Sequence, residues 1–398
     1  MSQAEVNIGI VGHVDHGKTT LTQALTGKWT DTHSEEVKRG ITIKLGYADV
    51  DFHKCKKCGK FYASGNCPCG GEGELVRRVS FIDAPGHETL MATVVAASSI
   101  MDGAVFVIAA NEACPQPQTT EHLMVVEAAG INNVVIVQNK VDLVTREQAL
   151  ENYEQIKEFL KGSSIEDAPI IPVVANIGAN IGALVQALFE VVNPRERGDG
   201  DPIMYLARSF DVNKPGTKLS AITGGVVGGS MVRGVLREGE EVQIWPGVRR
   251  EKKGKESYEK LSTVVLGLHA GNDAIKEARP GGLIAVATDL DPALTKGDAL
   301  VGCLLGRNLP EPRNEIKLKI TVLPRVIEAF PETYVENEPL VLGVGTATTL
   351  GFVTEQKKKK GVTLALKKPV CVNAAEKIAV MRRAKNRWRL YATAEVIE

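Results

Sequence analysis

The chain has 398 residues, of which 43% are hydrophobic, and this length predicts two or three domains with enough apolar material for a core in each. Its 48 basic and 48 acidic residues cancel, so the total charge argues neither for nor against a nucleic-acid partner. The sequence has no run of eighteen apolar residues and no basic N-terminal region, which predicts a cytoplasmic protein without a membrane span or signal peptide. Seven cysteines, four of them within residues 55–69, favour metal binding over disulfides in such a compartment.

A glycine-rich loop lies between an apolar, β-branched stretch at residues 6–11 and a helix-like stretch at residues 20–25. Residues 12–19 of this loop follow the pattern G-x-x-x-x-G-K-[ST] in its required strand–loop–helix setting. The curled backbone directs several N–H groups to one point, where a phosphate can bind at the positive end of the following helix. Lys18 would reach the β and γ phosphates, and the Thr19 hydroxyl would bind Mg²⁺. The alternative is a glycine-rich turn that binds nothing.

Two further loops carry residue types that suit the same site. Residues 34–43 form a polar loop that becomes β-like, and such a loop can bring a second hydroxyl, that of Thr42, to Mg²⁺ when a γ-phosphate is present. A short apolar strand is predicted to end at Asp83, which is placed to hold Mg²⁺ through water. Gly86 offers a backbone N–H to the γ-phosphate, and His87 can orient or polarise an attacking water. A packed or solvated histidine is the alternative for His87.

Four cysteines, interleaved with glycines, lie between these two loops: Cys55, Cys58, Cys67 and Cys69. Four thiolates on two tight turns can close a tetrahedral Zn²⁺ site that leaves no open position for chemistry, so zinc here would be structural. An insertion as small as this one, about residues 53–75, has little core of its own, and a metal would substitute for one. Only one residue separates Cys67 from Cys69, which makes a tighter turn than a regular knuckle. The alternatives are a surface hairpin with incidental thiols and a knuckle that contacts nucleic acid directly.

Alternating strands and helices continue the first domain and predict a parallel sheet covered on both faces, with strands at residues 104–110, 134–138 and 170–175 and helices at residues 118–129, 146–161 and 180–192. After the second of these strands, the carboxylate of Asp142 can accept hydrogen bonds from N1–H and the 2-amino group of guanine, and adenine offers neither donor. Asn139 and Lys140 would join this loop to residues 12–19 and cover the base. Because the expected phosphate, Mg²⁺ and base groups all fall at carboxyl ends of strands, we assign residues 1–200 to a GTP-binding α/β domain.

The remainder of the chain has a different pattern. Beyond a polar linker at residues 193–202, short apolar segments separated by turn residues predict all-β structure, with a further break at residues 309–313. We therefore expect two β-barrel domains, at residues 201–310 and 311–398. Two basic clusters, at residues 249–255 and 357–360, can contact RNA phosphates, and solvated hairpin tips are the alternative.

The motifs at residues 11–20, 39–42, 83–87 and 139–142 together resemble those of translational GTPases. The cysteine insertion and the segments at residues 209–217 and 224–230 narrow the resemblance to the gamma subunits of archaeal and eukaryotic translation initiation factor two. This resemblance implies a GTPase that carries initiator methionyl-tRNA to the small ribosomal subunit and releases it on GTP hydrolysis, with GTP or GDP, Mg²⁺ and structural Zn²⁺ as cofactors. It also implies that the alpha subunit docks on the second domain and the beta subunit on the first. The phosphate motifs contain no arginine finger, so intrinsic hydrolysis should be slow and partner-stimulated.

The resemblance further implies which residues bind the nucleotide. Those expected to contact GTP are Asp15, His16, Gly17, Lys18, Thr19, Thr20, Gly86, Asn139, Lys140, Asp142, Ala175 and Asn176. Mg²⁺ would bind Thr19, Thr42 and Asp83, a further Mg²⁺ would lie near Asp15 and the Gly40 carbonyl, and His87 would be catalytic.

The chain departs from the family pattern in the last guanine motif, where Val174 replaces the usual serine. The backbone N–H of Ala175 can still donate to the guanine oxygen, but the support that a serine hydroxyl gives to the loop is lost. The alternatives to the initiation factor are an elongation-type or selenocysteine-specific aminoacyl-tRNA carrier and, in another class, a sulfate-activating GTPase subunit.

Overall fold

Buried strands alternate with helices through the first half of the chain in the computed structural model, which describes residues 3–30, 45–63, 66–67, 69–87, 90–195, 197–218, 221–252, 254–357, 361–373 and 376–397. The strands there are β1 (Val6–Val11), β2 (Gly46–Cys55), β3 (Phe61–Tyr62), β4 (Gly73–Asp83), β5 (Gly103–Ala109), β6 (Val134–Asn139) and β7 (Ile170–Pro172). The helices are α1 (Lys18–Thr26), α2 (Met91–Ser98), α3 (Pro117–Ala128), α4 (Arg146–Leu160) and α5 (Ile181–Val191). Within the described ranges, no helix is long and apolar enough to cross a membrane.

These strands form one sheet in the order β3-β2-β4-β1-β5-β6-β7. The strands from β4 to β7 in that order are parallel, and β1, β5 and β6 are buried along their whole length, as Val- and Ile-rich strands are when helices cover both faces. The prediction of a parallel sheet is wrong at one edge, where β2 pairs antiparallel with β4 and β3 pairs antiparallel with β2. A parallel return from β2 to β4 would need a crossover of a dozen or more residues, usually a helix, whereas the described part of this glycine-rich connection holds β3 and turns.

Side chains of the central strand alternate between two apolar cores, one on each face of the sheet. Phe106 and Ile108 of β5 lie in the core that includes α2 and α3, whereas Val105 and Val107 lie in the core that includes α1 and α5. The helices thus hold the parallel strands from both sides, and the carboxyl ends of β1, β4 and β6 meet at one edge of the sheet.

Two closed barrels follow this sheet, which confirms the predicted fold class of an α/β domain with two β-barrels. The strands of this region are β8 (Ile203–Phe210), β9 (Val226–Arg233), β10 (Leu236–Arg237), β11 (Glu241–Lys252), β12 (Lys255–Ala270), β13 (Asp273–Ile275), β14 (Glu277–Ala278), β15 (Ile284–Thr288) and β16 (Leu304–Gly306). Strands β10 and β14 pair with each other in a separate two-stranded sheet, and the others form the first barrel sheet. Its order β11-β16-β8-β9-β15-β12 closes through pairing of β12 with β11. The second consists of β17 (Pro312–Val322), β18 (Pro339–Val344), β19 (Ala347–Lys357), β20 (Gly361–Cys371), β21 (Ile378–Ala384) and β22 (Arg387–Val396), and it closes in the order β17-β20-β19-β18-β21-β22.

Buried polar contacts join the α/β domain to the first barrel. The side-chain amide of Asn7 donates to Ile100 O and to Ser230 Oγ, both at 2.9 Å, and its backbone N–H donates to Asp102 at 2.8 Å. The Arg197 guanidinium pairs with Asp102 and donates to Met231 O at 2.7 Å. Two of these bonds, from Asn7 to Ser230 and from Arg197 to Met231, cross the boundary, and the bonds to Ile100 and Asp102 hold their donors in place, so together they favour one orientation of the two domains.

Candidate nucleotide-binding site

The loop between β1 and α1 has the backbone shape that its two glycines allow. Gly12 has φ of 141° and Gly17 has φ of 90°, and both values lie in the region that only glycine adopts readily. A Cβ atom on Gly12 would lie 2.3 Å from Val107 O, and one on Gly17 would lie 2.4 Å from Asn139 Nδ2. Gly17 caps α1 without a side chain, so the first amide groups of that helix face an anion site at its positive end.

A short hydrogen-bonded chain connects this loop to the end of β4. Thr19 Oγ1 donates to Asp83 Oδ2 at 2.9 Å, and Thr30 Oγ1 donates to the same oxygen at 2.7 Å. Because the Thr19 hydroxyl donates its proton to Asp83, its lone pairs stay available for Mg²⁺, and Asp83 lies beside that position, where it could hold the ion through water as expected. Thr30 belongs to none of the sequence motifs, and its contact with Asp83 was not predicted because the two residues are far apart in the chain.

The lysine and glycine expected around the γ-phosphate lie next to each other. Lys18 Nζ donates to His13 O at 2.7 Å, and it lies 2.4 Å from the position that a Cβ atom on Gly86 would take. Any side chain at Gly86 would therefore collide with the lysine. His87, one residue further on, is partly exposed at the end of the same loop. The loop of residues 83–87 thus lies opposite the loop of residues 12–19, and backbone atoms and the Lys18 ammonium lie between them.

Asn139 connects the base-binding loops to the phosphate loop by hydrogen bonds. Its side chain is buried, its Nδ2 donates to His16 O at 2.9 Å, and its Oδ1 accepts the N–H of Ala175 at 3.1 Å. Beside it is a cavity of about 160 Å³ lined by Gly17, Thr20, Asn139, Lys140, Asp142, Leu143, Val174, Ala175 and Asn176. Six of the residues predicted to contact GTP besides Asn139 therefore line one cavity: Gly17, Thr20, Lys140, Asp142, Ala175 and Asn176.

The last guanine motif differs from expectation in how its backbone is used. The N–H of Ala175, which we expected to donate to the guanine oxygen, donates here to Asn139. The loop that lost its serine hydroxyl at Val174 is closed by two backbone bonds instead, because Val174 and Ala179 exchange N–H···O contacts of 3.1 and 3.3 Å. Hydrogen bonds between backbone groups can thus hold this loop in shape in the absence of the serine hydroxyl.

His16 is a packed residue that faces away from the cavity. Its ring is buried, with Nδ1 3.0 Å from Val107 O and Nε2 3.4 Å from a carboxylate oxygen of Glu112. Burial lowers its pKa to about 4, so the ring is neutral at pH 7 and Nδ1 is assigned the proton that Val107 accepts. Its backbone oxygen, bonded to Asn139, is the part of His16 nearest the base-binding loops. The neighbouring Asp15 has φ of 62°, which turns the backbone at this point.

Two of the predicted Mg²⁺ contacts, Gly40 and Thr42, lie outside the described residues. The basic cluster at residues 357–360 has no described side chains either. In the other cluster, on the β11–β12 hairpin, Arg249 pairs with Glu256, and Arg250 Nε lies 2.6 Å from Glu259 Oε2. These arginines are exposed and already paired with carboxylates across the hairpin, which agrees with the solvated-hairpin alternative at these two residues.

The four cysteines of the insertion converge on one point. Their Sγ atoms all lie within 4.8 Å of one another, with separations of 3.5 Å for Cys55–Cys69, 3.5 Å for Cys58–Cys67 and 3.3 Å for Cys67–Cys69. Sulfurs around a tetrahedral Zn²⁺ with 2.3 Å bonds lie about 3.8 Å apart, so the donor set fits this ion despite the short spacer. The Cys58 backbone N–H lowers the pKa of the Cys55 thiol to about 6, whereas burial and the neighbouring thiols raise that of Cys67 to about 12. Opposite shifts within one cluster arise because the four sulfurs compete for protons and charge at one point, and a bound cation would favour the thiolates.

Comparison with known proteins agrees with this geometry. Residues 3–194 match the family "Elongation factor Tu GTP binding domain", and residues 314–396 match "Initiation factor eIF2 gamma, C terminal". The translation initiation factor 2 subunit gamma of Pyrococcus furiosus is 52% identical over 396 residues, which cover 98% of this chain and 96% of that protein. The same subunit of Methanocaldococcus jannaschii is 51% identical over 403 residues, which cover 99% and 98%.

Solved structures show the same fold. A bacterial selenocysteine-specific elongation factor, EF-Sec, superposes with a TM-score of 0.75 and 26% identity over 99% of this chain and 58% of that one. The elongation factor SelB of Methanococcus maripaludis, solved with the GTP analogue GppNHp, gives a TM-score of 0.74 at 21% identity over 100% of this chain and 80% of that one.

The fold and the site define a translational GTPase, which uses GTP, GDP and Mg²⁺ and hydrolyses GTP to GDP and phosphate. The match of residues 314–396 to an initiation factor family and the identity over the full length are more specific than that class. The chain belongs to the gamma subunits of translation initiation factor 2, and its GTPase acts in translation initiation.

Proposed function

We propose that this chain, in its GTP-bound form, carries initiator methionyl-tRNA to the small ribosomal subunit and releases it after hydrolysis. Its assembly partners are the alpha and beta subunits of the same factor, and its compartment is the cytoplasm. The working units are the GTP-binding domain at residues 1–200 and the two barrels at residues 201–310 and 311–398. The proposal is supported by 52% identity to an initiation factor gamma subunit over 98% of the chain.

The observation that carries the switch is the shared oxygen of Asp83. Thr19, in the phosphate loop, and Thr30, just before the segment that contains Thr42, both donate to Asp83 Oδ2. A Mg²⁺ ion held by Thr19, and by Asp83 through water, would bring a further donor to that oxygen and so would compete with the Thr30 hydroxyl. Nucleotide and Mg²⁺ would therefore alter the position of the chain that follows Thr30, and a surface formed by that chain would differ between GTP and GDP states.

Apart from the packed His16 ring and the Ala175 N–H, which donates to Asn139, the residues predicted from the sequence keep their roles in this proposal. Lys18 and the amides at the start of α1 hold the phosphates, Asp142 and the loop of residues 174–176 read guanine, and Mg²⁺, when bound, offsets phosphate charge. His87 orients water from the end of the loop whose Gly86 contacts the γ-phosphate. The phosphate loops, residues 12–19 and 83–87, contain no arginine, so unassisted hydrolysis is slow and a partner accelerates it.

A cleft between β2 and the first barrel is the place we propose for the methionyl end of the tRNA. Its volume is about 230 Å³, and its walls include Tyr47 from the GTP-binding domain and Phe210, Leu283 and Ala285 from the barrel. Charged side chains such as Lys28, Asp49 and Arg208 also line the cleft, but apolar groups are present on both walls, and these suit a thioether side chain. Because β2 follows the segment that contains Thr42, one wall of the cleft is continuous with the chain that responds to nucleotide.

The test is binding of methionylated initiator tRNA to the purified chain, with and without the alpha subunit, in the presence of a non-hydrolysable GTP analogue or GDP. We expect tighter binding with the analogue and a preference over elongator methionyl-tRNA. The Ala285→Arg variant, which fills the cleft, should lose tRNA and keep the GTP analogue, whereas Ala113→Arg, at an exposed site of the GTP-binding domain, should keep both. Binding that ignores the nucleotide, or that does not distinguish the two tRNAs, would refute the proposed cargo.

A carrier of the elongation or selenocysteine-specific type is the competing candidate, because such factors share the fold. Their identity to this chain is 26% and 21%, about half of the 52% found with the initiation factor subunit. Equal or better binding of an elongator aminoacyl-tRNA in the same assay would favour that alternative.

A further inference from the structure

Helix α4 carries one buried amide on the side that packs against the sheet. Asn152 is 4% exposed, and the other buried residues of this helix, Ile156, Phe159 and Leu160, are apolar. A buried amide costs free energy unless its oxygen and its NH2 group are both hydrogen-bonded. The partners of Asn152 therefore indicate what this side chain does.

The oxygen of the Asn152 amide is bonded to strand β6. Gln138 Nε2, in β6, donates to Asn152 Oδ1 at 2.9 Å and to Ala149 O, in the same helix, at 2.8 Å. Gln138 is buried and directly precedes Asn139, whose side chain connects the base-binding loop to the phosphate loop. Two bonds from one side chain thus hold the end of β6 against α4, at the residue before the guanine motif begins.

The NH2 group of the same amide is bonded to the loop that follows β5. Asn152 Nδ2 donates to Glu112 O at 2.9 Å, and one helical turn further on Gln155 Oε1 accepts the N–H of Cys114 at 3.0 Å. The carboxylate of Glu112 lies 3.4 Å from His16 Nε2, in the phosphate loop. Residues three apart share one face of a helix, so this face of α4 satisfies the backbone of a loop that lies beside the phosphate loop.

The loop expected to read guanine connects the two elements that the Gln138–Asn152 bond joins. It runs from Lys140 to Thr145, between the end of β6 and the start of α4. Asp142 lies in its single turn of 3₁₀-helix, Val141–Leu143, whose residues are partly or fully exposed and so have little packing of their own. A loop whose two ends are fixed has fewer conformations, so it loses less conformational entropy when it binds a ligand.

We propose that Asn152 is a positioning residue for guanine recognition: its bond to Gln138 fixes β6 against α4, and this places the Asp142 carboxylate. The bond to Glu112 O sets the orientation of the amide, because a rotated amide would bring its NH2 group against that of Gln138 and its oxygen against the Glu112 carbonyl. Asn152 acts through Gln138 and needs no contact with the nucleotide. The inference rests on the proposed reading of guanine by Asp142.

Competition between GDP and inosine diphosphate, which lacks the 2-amino group of guanine, tests this role on the full chain with Mg²⁺. The unaltered chain should bind GDP at least about tenfold more tightly, because the 2-amino group donates to a charged acceptor. In Asn152→Leu, which keeps the size of the side chain without its hydrogen bonds, this ratio should fall about fivefold or more. A residue with a purely structural role would lower the melting temperature and leave the ratio unchanged. Glu151→Ala, exposed on the same helix, should keep both values.

Because the loss of a buried amide can unfold a chain, Gln138→Met tests the same bond from the side of β6. It should lower the ratio of the two affinities as Asn152→Leu does, and the double variant should lower it no further, since both changes remove one bond. The inference is overturned if Gln138→Met leaves the ratio unchanged or if the two single effects add in the double variant.

The Asp142→Asn variant in the same assay separates this inference from the role proposed for Asp142. If Asp142→Asn removes the preference for GDP while Asn152→Leu and Gln138→Met retain it, Asp142 reads guanine and only the inference about Asn152 fails. If none of the three variants reduces the preference, the proposed reading of guanine by Asp142 fails as well. Loss of the preference in all three supports both.

Discussion

Replacement of Asn139 by alanine should weaken the binding of GDP and that of GTP by a similar factor. The side chain satisfies two buried backbone groups, the carbonyl of His16 and the N–H of Ala175, through bonds of 2.9 and 3.1 Å. Each buried group left without a partner costs about 1–3 kcal/mol, and the adjacent cavity of about 160 Å³ can admit water, which favours the lower end of that range. Two groups at that lower end together cost about 2 kcal/mol, which corresponds to a roughly 30-fold loss of affinity.

The nucleotides should be affected equally, because Asn139 connects the base-binding loop to the phosphate loop and does not contact the γ-phosphate position. Titration of a fluorescent GDP and of a fluorescent GTP analogue measures both constants directly. The matched control is Asn132→Ala, an exposed asparagine outside these loops, which should leave both affinities unchanged. A loss of less than about threefold, equivalent to under 1 kcal/mol, would refute the argument that this side chain holds the two loops together. A loss confined to the GTP analogue would also refute it.

Two other predictions concern the cysteine cluster and the buried histidines. The Cys58→Ser variant should bind less than about one Zn²⁺ per chain and melt at a lower temperature, because the metal site loses one of its four ligands. Its affinity for GDP should stay unchanged, because the cluster lies on the β2–β3 edge of the sheet. A metal titration with calorimetry checks this, and an unchanged melting temperature would contradict it. Burial lowers the pKa of His16 to about 4 and that of His122 to about 3, so the unfolded chain binds protons that the folded chain does not, and stability should fall as pH drops below 6.5. Each histidine should lower the free energy of unfolding by about 2 kcal/mol between pH 7 and pH 5. Denaturant titrations should show that this free energy depends less steeply on pH in His122→Leu than in the unaltered chain, and equal slopes would disprove the contribution of His122.

Sequence reasoning performed best where structure depends on nearby residues. The helix predicted at residues 146–161 is α4, Arg146–Leu160, and it begins with a capping box between Thr145 and Gln148 that local sequence determines. The strand predicted at residues 134–138 is β6, Val134–Asn139, because a continuous β-branched run has few other stable conformations. The sequence interpretation expected a strand after the polar loop of residues 34–43 but gave no bounds for β2, whose apolar positions are separated by charged residues such as Asp49 and Asp51.

Within the site, the same distinction holds. The phosphate loop and the loop of residues 139–142 were predictable because short motifs contain most of their chemistry. The bond from Thr30 to Asp83 was not, since it joins residues that only the tertiary fold brings together. The pairing of Ala175 with Asn139 was unpredictable for a related reason, because a backbone N–H carries no sequence signal.

The measurement that tests the account most directly follows phosphate release and tRNA release in one sample. The chain is loaded with GTP, Mg²⁺ and fluorescent initiator methionyl-tRNA, and a phosphate sensor reports hydrolysis over the same time course as the tRNA signal. The account predicts that tRNA leaves with the phosphate and stays bound when a non-hydrolysable analogue replaces GTP. If tRNA remains bound after the phosphate has left, or leaves equally fast with the analogue, the nucleotide does not control the cargo and the proposed switch is wrong.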